Sequence, residues 1–157
     1  MSLFEDNRYQ YRDTFFIFFE GQHRPDIEKI EACLAELGPR YKTVQRKEQD
    51  GAFEALTFVS PYDFSAMDIV SLEGEEVTNQ ITELMDEFRT MTLTGDESTK
   101  LSKLQNCNAR FDIFHFEQVE GGNEEQALDP GGLLLVIEKL SELCEGIPLD
   151  PQSQSLL

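Results

Sequence analysis

The sequence has no tryptophan, only three cysteines and no long apolar run in its 157 residues. The longest uninterrupted apolar segments, residues 15–19 and 133–137, are far shorter than the roughly 20 residues that a membrane-spanning helix needs. The first ten residues are polar and charged, without the apolar segment of a secretory signal. These absences predict a soluble protein that has no membrane partner.

Cysteine is too sparse and too widely spaced for a disulfide framework or a structural zinc site. Cys33, Cys107 and Cys144 are odd in number, and none of them belongs to a Cys-x-x-Cys pair. The sequence also lacks a Gly-rich phosphate loop, a His-Glu-x-x-His motif and a Gly-x-Ser-x-Gly motif. We therefore predict a cytoplasmic protein with reduced thiols, no metal and no cofactor.

Basic residues are scarce, at 13 against 31 acidic residues, which gives a net charge of −18. Residues 48–88 contain eleven acidic residues and no lysine or arginine, and in residues 111–157 Lys139 alone accompanies ten acidic ones. Such a surface repels nucleic acids and anionic membranes, which proteins bind through lysine and arginine. A partner protein with a basic surface is favoured, although solubility or salt adaptation is the simpler source of the acidity.

Hydrophobic periodicity predicts four strands and four helices. Residues 15–19 are apolar without a break, which is typical of a strand buried on both faces. Residues 61–74 predict irregular structure with a short extended piece at 67–72, and the tail 147–157 predicts one short strand. The predicted strands span residues 13–20, 41–48, 52–60 and 110–119, and the predicted helices span residues 26–37, 75–91, 96–105 and 130–145.

Capping and turn residues set the limits of several elements. Asp129 and Pro130 predict the start of the last helix, as N-cap and first helical residue. Asp96 or Ser98 is expected to cap the short helix before the fourth strand. The Asp-Gly pair at residues 50–51 predicts a tight hairpin turn between the second and third strands.

The order of elements resembles the split βαβ arrangement of ferredoxin-like folds. The resemblance covers about residues 13–119 and implies an antiparallel βαββαβ sheet of the α+β class, with the first and third strands central and two helices on one face. We expect the helix 130–145 to be added to this core, and residues 1–157 to form a single domain. Because many unrelated functions share this fold, the resemblance implies no activity.

One face of the leading strand carries apolar side chains that need to be buried. Phe16 and Phe18 point away from the face that carries Phe15, Ile17 and Phe19, and leaving them in water would forgo about 1.5–3 kcal/mol each. The last helix could cover them, since its segment 133–137 is apolar almost all round. A second copy of the chain could do so instead, and a remaining cleft could hold a small ligand.

Both covers can act together, with the last helix docked on the sheet and its outward leucines meeting a partner. We therefore predict an interface or ligand face made by four residues: Phe16, Phe18, Leu134 and Leu135. A homodimer and a basic partner protein are both compatible with this face.

Few residues are candidates for catalysis. His115 lies in the fourth strand, three residues after Asp112, and could act as a general base. Cys107 could approach His115 as a thiol–imidazole pair, and His23 lies in a turn after the first strand. A packing role is the simpler interpretation of each. The acidic residues at 120–129 surround two glycines and could hold calcium, but the ordered ligand spacing of a calcium loop is missing.

Three functions follow from these observations, in order of preference. The first is a non-catalytic binding or regulatory module that self-associates. The second is an acidic inhibitor or immunity-type protein that masks a basic partner surface. The third is a small enzyme that uses His115 with a carboxylate. The sequence identifies neither a substrate nor a partner.

Overall fold

A computed structural model describes residues 3–37, 41–49, 52–60, 65–119, 130–153 and 155–157. These residues form a mixed α+β structure, with seven strands and four α-helices. The helices are α1 (Ile27–Ala35), α2 (Glu75–Phe88), α3 (Gly95–Leu104) and α4 (Pro130–Cys144). The strands are β1 (Tyr9–Phe19), β2 (Lys42–Gln49), β3 (Ala52–Ser60), β4 (Ser65–Glu73), β5 (Ala109–Gln118), β6 (Ile147–Asp150) and β7 (Ser155–Leu156).

Local sequence accounts for most of the helix limits. The side chain of Asp26 accepts a hydrogen bond from the backbone N–H of Lys29 at 2.9 Å and so caps α1. Thr94 and Glu97 form a reciprocal capping box at the start of α3. The cap of α3 is therefore Thr94 rather than the predicted Asp96 or Ser98, because only Thr94 is followed at the third helical position by a glutamate that can reach back.

The seven strands form one antiparallel sheet in the order β2-β3-β4-β5-β1-β6-β7. Strand β1 lies between β5 and β6, so that Phe16 faces Asp112 on one side and Leu149 on the other. The leading strand is therefore central, as its apolar run predicts. Strand β2 is at the edge, and its basic side chains suit that position because charge discourages pairing with other chains.

The ferredoxin-like order is not confirmed. That order would place β1 beside β3, whereas β4 and β5 lie between them. Ser65, Asp68 and Ser71 break the apolar pattern of residues 65–73, which is why the sequence predicted irregular structure there. All three side chains are buried in the structure, and β4 is a full strand of nine residues.

The helices cover both faces of the sheet. One face, the α1/α4 face, packs Ile17, Phe19, Phe111 and Ile113 against α1 and α4. The opposite face, the α2/α3 face, carries a smaller apolar cluster that packs against α2 and α3. Its sheet residues are Phe16, Phe18, Leu72, Ile147 and Leu149, and its helix residues include Val77, Ile81, Leu84, Phe88 and Leu104.

The cover over Phe16 and Phe18 is neither of the two that the sequence suggested. Helices α2 and α3 lie over these rings, leaving Phe18 fully buried and Phe16 half-buried. Helix α4 packs instead on the face of Ile17 and Phe19. The extra strand β4 explains the difference, because α2 follows β4 rather than β3 and crosses the face opposite to α1.

Strand β5 keeps a regular register along its pairing with β4. The irregularity in its pairing with β1 falls between Tyr11 and Asp13, on β1 and not near Ile113. Both faces of β5 are covered, one by the α1/α4 cluster and the other by the cluster beneath α2 and α3 and by the N-terminal segment. Among the described residues, no helix is long and apolar enough to cross a membrane.

Candidate functional site

Helix α4 departs from the pattern of an ordinary surface helix. Its inward residues Leu133, Val136, Ile137 and Leu140 are buried on the α1/α4 face. Leu134 and Leu135, in contrast, are 51% and 42% exposed. Because successive residues of a helix are about 100° apart, a run of five apolar residues must turn some of them outward. The two leucines named as interface residues from the sequence are thus the ones that reach solvent.

A groove of about 500 Å³ lies beside Leu134, between α4 and the outer edge formed by β6 and β7. Its apolar walls come from Leu134 and Ile137 on α4, Pro148 on β6, and Leu157 after β7. The volume falls within the roughly 300–1,000 Å³ of ligand sites. The groove can therefore accept several side chains, and it is open to solvent along one side. We call it the α4 groove.

The rim of the α4 groove is acidic. Glu138, Glu142 and Glu145 line it at positions i, i+4 and i+7 of α4 and the residue after it, a spacing that keeps them on one side of the helix over about 10 Å. Lys103, at the end of α3, is the one base among the described residues that line the groove. The groove thus combines apolar walls with an excess of negative charge.

The end of α4 is held firmly against the sheet, which fixes the position of the groove. Glu145 has a backbone φ of 53°, a left-handed conformation that reverses the chain. A Cβ atom at Gly146 would lie 2.7 Å from Ile17 Cγ2 and 2.8 Å from the Phe18 carbonyl oxygen. Only glycine allows this approach. His23 Nε2 lies 3.4 Å from the Glu145 carboxylate, at the same end.

A second exposed apolar area is formed by two aromatic rings. Phe4 stacks on Tyr11 with ring centroids 5.5 Å apart, and its edge meets Phe116 at 4.9 Å. Both Phe4 and Tyr11 are exposed. The rings cover the outer end of β1 and β5, and the α4 groove does not include them. We interpret this area as a cover of the sheet and not as a candidate binding site.

His115 is buried, with 2% of its surface exposed, and its partner is not the one suggested by sequence proximity. Its Nδ1 lies 3.1 Å from an Asp13 carboxylate oxygen on β1. Burial lowers the pKa of His115, and the charge of Asp13 opposes that shift. Asp112 lies on the opposite face with Arg110. The register that joins residues 13 and 115 cannot be read from the sequence.

The structure does not bring Cys107 and His115 together. Cys107 belongs to the cluster beneath α2 and α3, whereas His115 meets Asp13 on the other face, eight residues further along the chain. Burial raises the pKa of Cys107 to about 11, and its Sγ contacts the Lys103 carbonyl oxygen at 3.5 Å. A thiol with so high a pKa is a poor nucleophile near neutral pH.

The remaining candidates give no chemical site in the described residues. Burial raises the pKa of Cys144 to about 12 and also raises that of Cys33. His23 lies between Glu145 and Glu20, the latter at 3.8 Å. The described part of the chain contains no group of three or more metal-binding side chains. The acidic residues at 120–129 lie outside the described residues.

Sequence reasoning missed two buried polar pairs on the α2/α3 face. Arg110 Nε donates to Asp112 at 2.5 Å, and the guanidinium lies 4.5 Å from the centre of the Phe16 ring. Burial raises the pKa of Asp112, and Arg110 opposes the shift. On β4, burial likewise raises the pKa of Asp68, which accepts a hydrogen bond from Thr57. In each pair the two side chains satisfy each other's hydrogen-bonding groups, so we interpret both pairs as structural.

Comparison with known proteins finds no matching family model, no similar curated protein and no similar solved structure. The function must therefore be argued from the site itself. The α4 groove is the feature that combines exposed apolar surface, concave shape and uncompensated charge.

Proposed function

We propose that this chain is a non-catalytic binding module that receives a basic surface of a partner protein at the α4 groove. The observation that carries the proposal is the exposure of Leu134 in the wall of the groove, beside the acidic rim. With the neighbouring exposed Leu135 it forms an apolar area on the outside of α4, and exposed apolar areas with a polar rim mark interaction surfaces. The rim of Glu138, Glu142 and Glu145 selects a partner of positive charge.

The same observations disfavour the enzyme hypothesis. A general base must come within hydrogen-bond reach of its substrate, and His115 is buried with Asp13 against its Nδ1. The α4 groove is lined by other side chains. A reaction at His115 would need the sheet to open at that end.

The acidic-inhibitor hypothesis now applies only to the acidic rim of the α4 groove. It relied on the acid-only segment 48–88 and the acidic region after residue 110 forming one patch. In the structure, the acids of α2 and those of α4 lie over opposite faces of the sheet. The acids of α2 and those of α4 therefore cannot contact one partner surface together, and the α4 rim is the part that adjoins an apolar groove.

Self-association through the same face is less favourable than binding a basic partner. A symmetric dimer uses the same patch on both copies. It would bring Glu138, Glu142 and Glu145 close to their own counterparts, and like charges juxtaposed in an interface are destabilising. Phe18 offers no alternative dimer surface, because α2 and α3 already bury it.

Site-specific crosslinking tests the proposal. A photoreactive phenylalanine derivative replaces Glu138 on the groove rim, and the matched control carries it in place of Glu83 on the outer side of α2. Both positions are exposed. After irradiation in the native cells, the crosslinked segment is identified by mass spectrometry. We expect position 138 to crosslink to a lysine- or arginine-rich segment of another protein, with no such product from position 83.

Three outcomes would contradict the proposal. They are a crosslinked segment that is neutral or acidic, a product in which position 138 joins two copies of this chain, and the same product from both positions. The first removes the charge argument, the second replaces the partner with a second copy, and the third shows that the overall negative charge, rather than the groove, attracts the partner.

A further inference from the structure

The α4 groove is not uniform along its length. Leu134 is the first residue of α4 that lines it, and Glu138, Glu142 and Glu145 follow along the helix, with Ile137 buried beside them. The distance along the helix from residue 134 to residue 145 is about 16 Å at 1.5 Å per residue. The wall formed by α4 therefore begins with an exposed apolar side chain, the apolar end, and continues with carboxylates, the acidic end.

The charges at the acidic end are free to meet a partner. Glu138 and Glu142 are exposed and take part in none of the ion pairs formed among the described residues. Lys139 does not neutralise them by an ion pair, because it pairs with Glu36 of α1 at 3.3 Å. Within the described part of the chain, Glu145 pairs with the His23 imidazole alone, at 3.4 Å. Positive charge brought by a ligand would meet carboxylates that already lie in place.

The apolar end offers a place for one anchoring side chain. Leu134 is half-exposed and Ile137 is buried beneath it, so a side chain laid between them and Pro148 would cover apolar surface that now contacts water. An apolar anchor in a pocket is the usual centre of an energetic hot spot, and charges on the rim set orientation and partner choice.

Resting on the proposed function, we infer that the α4 groove binds a linear segment that carries one apolar anchor followed, on one side only, by lysines or arginines. The anchor lies at the Leu134 end, and the cations lie along Glu138, Glu142 and Glu145. Glu138 is four residues beyond Leu134, about 6 Å along the helix. An extended segment covers that distance in about two residues at about 3.3 Å each, which sets the spacing from anchor to first cation.

Three synthetic nine-residue peptides test the inference, each with a fluorescent label for anisotropy titration. The block peptide has leucines in its first third and lysines in the rest. The lysine peptide replaces those leucines with serine, and the alternating peptide has the composition of the block peptide with leucines spread along it. Each is titrated against the whole protein and against four single variants.

The variants form two matched pairs. Glu142→Lys alters the rim, and Glu83→Lys makes the same charge change on the exposed side of α2. Leu134→Ser alters the apolar end, and Val44→Ser removes an equally exposed apolar side chain from β2. All four positions are on the surface, and an unchanged Tm for each variant confirms that the fold is intact.

We expect the block peptide to bind at least about tenfold more tightly than the other two, a difference of about 1.4 kcal/mol. Leu134→Ser and Glu142→Lys should each remove most of that advantage, while Val44→Ser and Glu83→Lys should leave the affinity within about twofold.

The contrary outcomes separate the inference from the proposed function. If all three peptides bind alike and Glu142→Lys still weakens binding more than Glu83→Lys, the inference is wrong while the proposed function stands. If Glu142→Lys and Glu83→Lys weaken binding equally, net charge alone attracts the peptides, and both are wrong. If none of the three peptides binds, the inference and the proposed function are both wrong.

Discussion

Beneath α1 and α4 the sheet meets its helices through apolar side chains such as Ile17, Phe19 and Phe111, and the outer side of α4 then exposes two leucines. Beneath α2 and α3 the sheet buries an Arg110–Asp112 pair, and further along the same side of the sheet it buries Asp68. The outer sides of these two helices carry none of the large exposed apolar side chains among the described residues.

The two faces of the sheet differ in where their unusual residues lie. On the α2/α3 face, buried polar groups fix which strands and helices meet, because each must find its partner. The α1/α4 face is apolar where α1 and α4 pack, its polar pair being the contact between His115 and Asp13, and two leucines lie on the outside of α4, where a partner can reach them. We therefore propose that binding belongs to the α4 side and structural specificity mainly to the α2/α3 side.

The largest expected effect comes from breaking the buried ion pair. Arg110→Met leaves Asp112 buried without its main partner and should lower the free energy of unfolding by about 3–5 kcal/mol. Urea denaturation at pH 7 measures it. The double variant Arg110→Met/Asp112→Leu should recover most of the loss, because an apolar pair needs no compensation. A loss that the double variant does not recover would show that the pair is not the source.

On the α1/α4 face, a cavity in the apolar core should destabilise the protein as the broken ion pair does on the α2/α3 face. Leu140→Ala removes a fully buried side chain of α4 and should cost about 2–5 kcal/mol. Urea denaturation under the same conditions allows direct comparison with Arg110→Met. Leu143→Ala, at a half-buried position of the same helix, is the control and should cost less. Equal losses at 140 and 143 would mean that α4 does not pack as described.

Two variants of Asp68 distinguish the contribution of its hydrogen bond to stability from that of its charge. Asp68→Ala leaves the Thr57 hydroxyl without its acceptor and should cost about 1–3 kcal/mol. Asp68→Asn keeps an acceptor and removes the charge. Burial raises the pKa of Asp68, so the charged form costs stability that is regained as pH falls below the raised pKa.

At pH 7 the Asn variant should therefore be at least as stable as the wild type, with a smaller change in stability between pH 7 and pH 4. Thermal unfolding at several pH values checks this. An Asn variant that is as unstable as the Ala variant would show that the carboxylate charge itself holds β3 and β4 together.

His115 should give the opposite pH dependence. Burial lowers its pKa in the folded protein, so its contribution to stability is complete above the ordinary histidine range and is lost as pH falls through the lowered value. The difference in unfolding free energy between the wild type and His115→Gln should shrink on acidification from pH 7 to pH 5. A growing difference would show that the Asp13 charge outweighs burial.

The smallest effect on stability is expected on the outer side of α4. Leu134→Ser and Leu135→Ser alter side chains that are half-exposed, so each should change the free energy of unfolding by no more than about 0.5 kcal/mol. Chemical denaturation of each variant tests this. A loss above that limit would mean that the leucines serve the fold rather than a partner.

Much of the secondary structure could be predicted from periodicity. The central position of β1 follows from the uninterrupted apolar run at residues 15–19, and α4 begins at Pro130, where the sequence predicts a helix start. The exposure of Leu134 and Leu135 could be predicted because a helical run of apolar residues cannot be buried on every side of a surface helix.

The topology could not be predicted, because it depends on pairs that are distant in sequence. Strand β4 was hidden by Asp68 and its neighbouring serines, and the burial of Asp68 depends on Thr57, a partner on another strand. The pairing of His115 with Asp13 depends on a register across 102 residues. The acidic rim became significant only once Pro148 and Leu157 formed the other wall of the groove.

The most direct test of the account is a map of backbone amide shifts by nuclear magnetic resonance, recorded as the leucine–lysine block peptide is added to the protein. We predict that the shifts concentrate at residues 134–146, at Lys103 and at Leu157, while the amides of α2 stay unchanged. Shifts spread over the acidic residues of α2 as strongly as over α4 would contradict the account.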